Sequence, residues 1–317
     1  MLTTEKIYLQ PKTVNDALMA AYDHINEFRY IAGGTDVLVN KFQGNEISSC
    51  LIDISGIDEL NAVKISDGYF KIGALVKLKD LAKHEIIRNE FAALIEAANS
   101  VGSPLIRQAA TIGGNILCEN RCIYYNQSDW WRESVGYCLK CEGDICIATG
   151  SAKKCYSELV SDTAPVLISM NAQIEVADKE GITIRKLEDI YSGEGVNPRN
   201  LKNTSIITGI LLPLSSNFLV VFNKLRERQS LDFTSLTSSF SIDNSGKIRI
   251  VLAGVDPGPV IVEGTINTGA DIFVKEALKK ARSIDNEMLS RKYRREMIRN
   301  FITNSLNKLK SSKIINE

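Results

Sequence analysis

The chain has 317 residues, 44% of them hydrophobic and 24% charged, enough for roughly two or three compact domains with cores of their own. Lys plus Arg total 38 and Asp plus Glu total 38, so the formal net charge is zero, which argues against nucleic-acid binding or any polyanionic partner. No basic segment followed by a long apolar run opens the chain, and no stretch approaches the roughly 18 uninterrupted apolar residues of a membrane span. A soluble, cytoplasmic protein without a membrane partner is expected, and its near-zero charge suits a chain that lives in a complex.

Residues 14–26 have helical spacing, and RYIAGG then reads as a short buried strand ending in glycines. Thr35 or Asp36 is placed to cap a helix through VLVNKFQG, and SSCLIDIS is a second short strand. Residues 1–55 therefore read as a small β-α-β-type unit. YFKIGALV (69–76) alternates like a strand. The following stretch to Ala110 is helical in its parts, with a break near Gly102-Ser103-Pro104. ATIGGNIL reads as a strand or turn interrupted by paired glycines, and the cysteine-bearing stretch after it as irregular. SDTAPVLISMNAQIEVAD is a helix and then a strand. GITIRKLEDIYSGEG is a strand, a helical turn and a Gly-rich loop, and SIITGILLP is a strand stopped by Pro213. These give a larger α/β region over 56–215. From about residue 216, VVFNKL, LTSSFSID and KIRIVLAGV alternate like antiparallel strands and two amphipathic helices follow, which marks a separate, smaller α+β domain over 216–317. The basic run RKYRREMIRN reads as a solvated helix face with Tyr293, Met297 and Phe301 on the buried side.

Two segments share a design of apolar run, Gly-Gly, then a small polar residue: Ala32-Gly33-Gly34-Thr35-Asp36 and Thr111-Ile112-Gly113-Gly114-Asn115. Paired glycines allow positive φ and a close approach of backbone to ligand, and successive free N–H groups form an anion-binding concavity. A helix start after the first loop adds a favourable dipole. Two such loops would hold the two phosphates of one dinucleotide. Neither loop is the G-x-G-x-x-G of a Rossmann site, and each by itself is equally an ordinary turn. The only histidines, His24 and His84, fall on amphipathic helices, and no Ser-His-Asp or H-E-x-x-H pattern is present. No side-chain catalytic constellation is expected.

AGGTDVLV, TIGGN, SDTAPVL, KLRERQSLDF and VLAGVDPGP stand here in an order and spacing that resemble the FAD-binding subunits of the xanthine dehydrogenase and carbon monoxide dehydrogenase family, the molybdenum hydroxylases. The resemblance spans nearly the whole chain. It implies an α+β fold: a two-part FAD-binding region, made of the small N-terminal unit and the middle region, with the smaller C-terminal domain beside it. It implies that residues 32–36 (Ala32, Gly33, Gly34, Thr35, Asp36) and 111–115 (Thr111, Gly113, Gly114 and Asn115 among them) hold the pyrophosphate and ribitol. Arg29, Tyr30, Ile31, Val101 and Ile123 are further FAD-binding positions on that basis. Asp162 would contact the sugar or adenine side, Lys224 would lie close to the FAD, and Tyr191 would fall on a mobile segment near the flavin ring.

Six of the seven cysteines lie between Cys118 and Cys155, in an insertion of about forty residues that most of that family lacks; structureless loops of such length are usually functional. Cys50 stands alone and reads as an inert buried thiol. A dense intracellular cluster points to a metal. The insertion contains no His, which excludes a mixed Cys and His zinc site. Cys138-x2-Cys141 and the looser Cys118-x3-Cys122 leave both iron–sulfur and all-cysteine zinc open, with a neighbouring flavin favouring iron–sulfur. The run RCIYYNQ, WRES, YCLK, GDIC and KKC is similar to an insertion in the β subunits of 4-hydroxybenzoyl-CoA reductases, where it carries a [4Fe–4S] cluster. That similarity implies Cys122, Cys138, Cys146 and Cys155 as ligands, at separations of x15, x7 and x8, with Cys118 and Cys141 as spare thiols. Tyr124, Tyr125, Trp130 and Trp131 would shield the cluster or form the insertion's own small core.

The function so implied is electron transfer. A ferredoxin-like donor would feed the [4Fe–4S] cluster and FAD. Electrons would then pass to a small [2Fe–2S] partner subunit and a large molybdenum-cofactor subunit that removes the phenolic hydroxyl of 4-hydroxybenzoyl-CoA, in a dimer of heterotrimers. The alternatives are the FAD subunit of another molybdenum hydroxylase or, in a different class, a zinc-stabilised assembly or regulatory protein without flavin.

Overall fold

Three sheets follow one another in this computed structural model, which describes residues 6–316. The first is built from β1 (Ile7–Leu9), α1 (Val14–Asp23), β2 (Phe28–Ile31), α2 (Val37–Phe42) and β3 (Cys50–Asp53). Its strands run parallel in the order β1-β3-β2, with Cys50 opposite both Ile7 and Phe28. The Thr13 hydroxyl caps α1 by accepting the Asp16 N–H at 3.1 Å, and the helix buries Ala17, Leu18 and Ala21 on the sheet. Cys50 lies in this core, where burial raises its thiol above the ordinary value. The side chain of Asp36 makes no cap bond to α2, which has only six residues.

The middle region holds β4 (Val63–Ser66), β5 (Tyr69–Gly73), then α3 (Glu85–Glu90), α4 (Ala92–Ser100), α5 (Pro104–Ala109) and α6 (Ile112–Ile116). After α7 (Asp129–Val135), inside the cysteine-rich insertion, come α8 (Thr163–Ser169), β6 (Gln173–Asp178), β7 (Gly181–Lys186) and β8 (Ile206–Pro213). The sheet order is β4-β5-β8-β6-β7 and every pairing is antiparallel, so the region is α+β rather than the expected α/β. Strand β8 is buried on both faces between its neighbours, as its mostly apolar run IITGILL requires, with Thr208 bonded to Glu175. The expected strand or turn at ATIGGNIL is instead α6. Thr111 starts it by accepting the Gly114 N–H at 3.1 Å, and the cap offsets the poor helix propensity of two glycines.

The last sheet, β9 (Leu219–Leu225), β10 (Leu236–Ile242), β11 (Lys247–Ala253) and β12 (Val260–Thr265), is an antiparallel meander in the order β12-β11-β10-β9. Alternation splits β11 between two cores. Ile248, Ile250 and Leu252 pack under α9 (Ala270–Lys280) and α10 (Arg291–Asn316), while Val251 and Ala253 join the core of the middle region. Ser239 and Ser241 of β10 face α8: Ser239 bonds Ser169 Oγ at 2.8 Å and Ser241 donates to Ser169 O at 2.6 Å. The expected separate C-terminal domain thus shares a core with what precedes it. On α10 the most buried stripe is Arg294, Ile298, Ile302, Ser305, Leu306 and Leu309; of the expected face Met297 and Phe301 pack partly buried against the same core, and Tyr293 is exposed. The reason is Arg294, drawn inside by Glu158 at 2.6 Å and Glu287 at 3.3 Å. Among the described residues no helix is long and apolar enough to cross a membrane.

Candidate functional site

A cleft of about 890 Å³ opens where the first sheet, the middle region and the β9–β10 loop meet. Arg29, Tyr30, Ala32, Gly33, Gly34, Thr35, Asp36, Val101, Thr111, Gly113, Gly114, Asn115 and Asp162 all line it. Gly33 is packed so closely on the end of α5 that a Cβ there would stand 2.0 Å from Ala109 O, and Gly34 has φ +70°. The turn they make leaves the backbone N–H groups of residues 33–37 without a protein acceptor among the described residues. The second loop differs. Gly113 N–H donates to Ala74 O, Gly114 N–H to Thr111 Oγ1 and Asn115 N–H to Thr111 O. The expected free N–H groups and positive φ are therefore found in the first loop alone. Asn115 contributes through its side chain: Oδ1 accepts from Ser161 Oγ, Thr163 N and Thr163 Oγ1, which aims its amide NH2 at the cleft.

Four expected residues do not reach the cleft wall. Ile31 is buried at the end of β2. Ile123 lies inside the insertion, where its N–H donates to Asn286 O. Tyr191 is buried behind the wall, its hydroxyl donating to Ile116 O at 2.9 Å, which fixes rather than frees the segment. Lys224 stands behind Asp162 and donates to Asp162 Oδ2 at 2.6 Å, Ser100 O at 3.0 Å and Asp232 O at 3.1 Å. Burial pushes the Asp162 carboxyl up, and Lys224 together with the Thr237 hydroxyl opposes that push. Lys224 is thus a support for Asp162.

Other residues at the cleft carry no sequence signal. Arg199 lines it, stands 4.9 Å from the Tyr191 ring and donates to Cys118 O at 2.6 Å, while its Nε is buried with no partner among the described residues. Asp36 does not face the ligand space as a bare anion. It pairs with Arg121 and accepts the Glu119 N–H at 2.9 Å. The Arg121 guanidinium lies 4.6 Å from the Phe233 ring, and burial lowers its pKa to about 10.

Arg121 and Glu158 exchange backbone hydrogen bonds of 3.0 and 2.8 Å, closing the neck of the insertion. Inside it, Cys122, Cys138, Cys146 and Cys155 line one small cavity with Tyr124, Tyr125, Leu139, Lys140 and Ile284. Among the described residues no three Cys, His, Asp or Glu side chains stand in ready coordination geometry, so the fit to a metal centre rests on the donor set: four thiols around one space, in apolar and aromatic walls. Burial pushes the Cys122 thiol up to about 12, and a hydrogen bond with Cys141 holds Cys138 below the ordinary thiol value. The spare thiols are separated: Cys118 lines the cleft and Cys141 touches Cys138. Tyr124 and Tyr125 wall the cavity, whereas Trp130 is 75% exposed on α7 and Trp131 is not part of the wall. The insertion is docked by Arg132, which donates to Gln43 O just after α2 at 2.9 Å.

A family model described as the FAD binding domain in molybdopterin dehydrogenase matches residues 3–215, well over half of the chain. The chain is 30% identical over 266 residues to the aldehyde oxidoreductase FAD-binding subunit PaoB of Escherichia coli (strain K12), covering 81% of this chain and 83% of that one. It is 26% identical over 245 residues to the nicotinate dehydrogenase FAD-subunit of Eubacterium barkeri, covering 75% and 70%. Reconstituted CO dehydrogenase from Oligotropha carboxidovorans shares the fold, with a TM-score of 0.73 at 18% identity over 95% of this chain and 96% of that one. The chain belongs to the family of FAD-binding subunits of molybdenum hydroxylase-type oxidoreductases.

Proposed function

We propose that this chain holds FAD in the cleft and a [4Fe–4S] cluster on Cys122, Cys138, Cys146 and Cys155, and that it serves as the electron-transfer subunit of a molybdenum enzyme. The observation that carries the reading is the neck: Cys118 lines the cleft and Cys122, four residues on, lines the thiol cavity. When bound, FAD supplies one- and two-electron chemistry and the cluster one-electron exchange. The protein's part is to bind and orient. The unpaired N–H groups of residues 33–37 suit a pyrophosphate, the Asn115 amide and Asp162 offer polar contacts along the cleft, and Arg121 neutralises Asp36 so that no bare carboxylate repels the phosphates. A volume of about 890 Å³ lies in the range of cofactor clefts.

The insertion's resemblance favours 4-hydroxybenzoyl-CoA reductase, with a ferredoxin-like donor, a small [2Fe–2S] subunit and a large molybdenum subunit in a dimer of heterotrimers. A second reading, an aldehyde-oxidising enzyme, is favoured by 30% identity over 81% of the chain to PaoB. Iron, zinc, acid-labile sulfide and flavin in the anaerobically purified protein test the shared core: about four irons, four sulfides and one FAD per chain are expected. Zinc in place of iron, with no flavin, would support the assembly-protein alternative instead. Between the two enzymes, reduction of 4-hydroxybenzoyl-CoA by the assembled complex with a reduced one-electron donor supports the first. Flavin bleaching by an aldehyde with no such reduction supports the second.

A further inference from the structure

Lys140 is the only charged side chain among the residues lining the thiol cavity, and its side chain is 4% exposed. The short 3-10 turn Leu139–Cys141 that follows Cys138 places it there. Its Nζ donates to Glu119 Oε1 at 2.7 Å and to Gly195 O, and lies 5.0 Å from the Tyr125 ring centroid. Glu119 belongs to the other side of the partition. It follows Cys118, which lines the cleft, and its N–H donates to Asp36, which lines the cleft too. Burial pushes the Glu119 carboxyl up, but Lys140, then Arg199 and Arg29 from the cleft wall, overcome that and hold it below its ordinary range. The pair is therefore a largely desolvated dipole between the two candidate redox sites, its positive member lining the cysteine cavity.

We propose that the Lys140–Glu119 pair sets the difference in reduction potential between the cysteine site and the flavin site, Lys140 raising the potential on the cysteine side. The inference rests on the reading that the four thiolates hold an iron–sulfur cluster. Each electron received by such a centre adds one negative charge, and a desolvated cation beside it stabilises the reduced form more than the oxidised one. The Glu119 carboxylate, which does not line the cavity, opposes that effect. Glu194 is the other carboxylate in contact, accepting the Cys155 N–H at 3.2 Å, and it is unchanged in every variant below. Both are positioning residues, Lys140 buried and Glu119 half-buried, so solvent screens them weakly.

The test is a redox titration of the anaerobic complex, following the cluster by electron paramagnetic resonance and the flavin by absorbance, with iron counted in each sample. Lys140→Met is expected to keep its iron and to shift the one-electron equilibrium between the sites about tenfold towards the flavin, which is about 59 mV for one electron. Lys140→Arg should restore the wild-type value, and Glu119→Gln should move the cluster potential in the opposite direction to Lys140→Met. An unchanged potential in iron-replete Lys140→Met overturns the proposal. If that variant loses its iron, an unchanged cluster potential in iron-replete Glu119→Gln overturns it. Wild-type protein without iron overturns the cluster reading itself, which is a separate result.

Discussion

After Ala32 the chain turns through Gly33 and Gly34 and leaves the N–H groups of residues 33–37 without a protein acceptor among the described residues; in Thr111–Asn115 nearly the same letters fold into one turn of helix whose N–H groups are taken by Thr111 and Ala74. The difference lies in what precedes each pair. Strand β2 delivers the first pair into open cleft. A capping threonine delivers the second, and an N-cap hydroxyl satisfies orphan donors before any ligand arrives. One loop is thus free to take a charged ligand through its backbone, and the other presents a side-chain amide from a rigid turn.

Alanine at the two pairs probes this contrast most strongly. A Cβ at Gly33 would meet Ala109 O at 2.0 Å, a backbone atom that cannot yield, whereas a Cβ at Gly114 meets only Thr111 Oγ1 at 3.0 Å. Gly33→Ala is expected to abolish FAD retention and to cost about 3 kcal/mol of stability, the upper part of the overpacking range. Gly114→Ala is expected to keep FAD with stability changed by less than about 1 kcal/mol. Flavin content and thermal unfolding measure both. Equal losses at the two positions would mean that the loops do not differ as described.

Next in size is separation of the two sites. Cys155→Ser should remove iron while leaving most of the FAD, since Cys155 lines only the thiol cavity and the cleft is built from other elements. Simultaneous loss of both cofactors would show that the insertion and the cleft form one folding unit. Asp36→Asn should act the other way round, keeping iron and weakening FAD about tenfold, roughly 1.4 kcal/mol. It breaks the Arg121 pair and loosens the first glycine loop from the neck. Titration of FAD into deflavinated protein reads this effect, and an unchanged affinity would remove Asp36 from the account.

Periodicity made most strands legible because burial follows it: the alternation in LTSSFSI and KIRIVLA is the split of β10 and β11 between two packed faces. Three strands, Ile7–Leu9, Val63–Ser66 and Val260–Thr265, passed unread: the first has only three residues, the second is mostly exposed and the third follows a Pro-Gly-Pro turn that masks its start. Helix α6 was illegible for a different reason. Glycine pairs speak against helix locally, and contacts with Ala74 and Val76, far off in the chain, hold the turn in place together with the Thr111 cap. Arg294 and Arg199 were hidden as well. Arg294 in its basic run and Arg199 in a polar loop both look solvated until a distant carboxylate such as Glu158 or an aromatic ring such as Tyr191 is folded against them.

The smallest effect concerns acidity at the partition between the sites. The folded Glu119 carboxyl sits below its ordinary value of 4.5 because Lys140 and the cleft arginines outweigh the burial that pushes it up. A carboxyl lowered on folding contributes stability that is fully present above 4.5 and is lost as the pH falls through the folded value, because the unfolded chain then binds the proton first. Glu119→Gln removes that contribution at every pH, at a cost on the order of 1 kcal/mol for one buried, charge-assisted hydrogen bond. The gap in unfolding midpoint between wild type and variant should therefore be constant near neutrality and close as the solution is acidified below 4.5. Asp53, held low against its burial by the Ser55, Tyr8 and Gln10 hydrogen bonds, will soften the first sheet of both proteins over the same acid range and so cancels in the difference. A gap that persists undiminished in acid would mean that Glu119 acts by shape alone. The charge partition between the thiol cavity and the cleft would then have no electrostatic content.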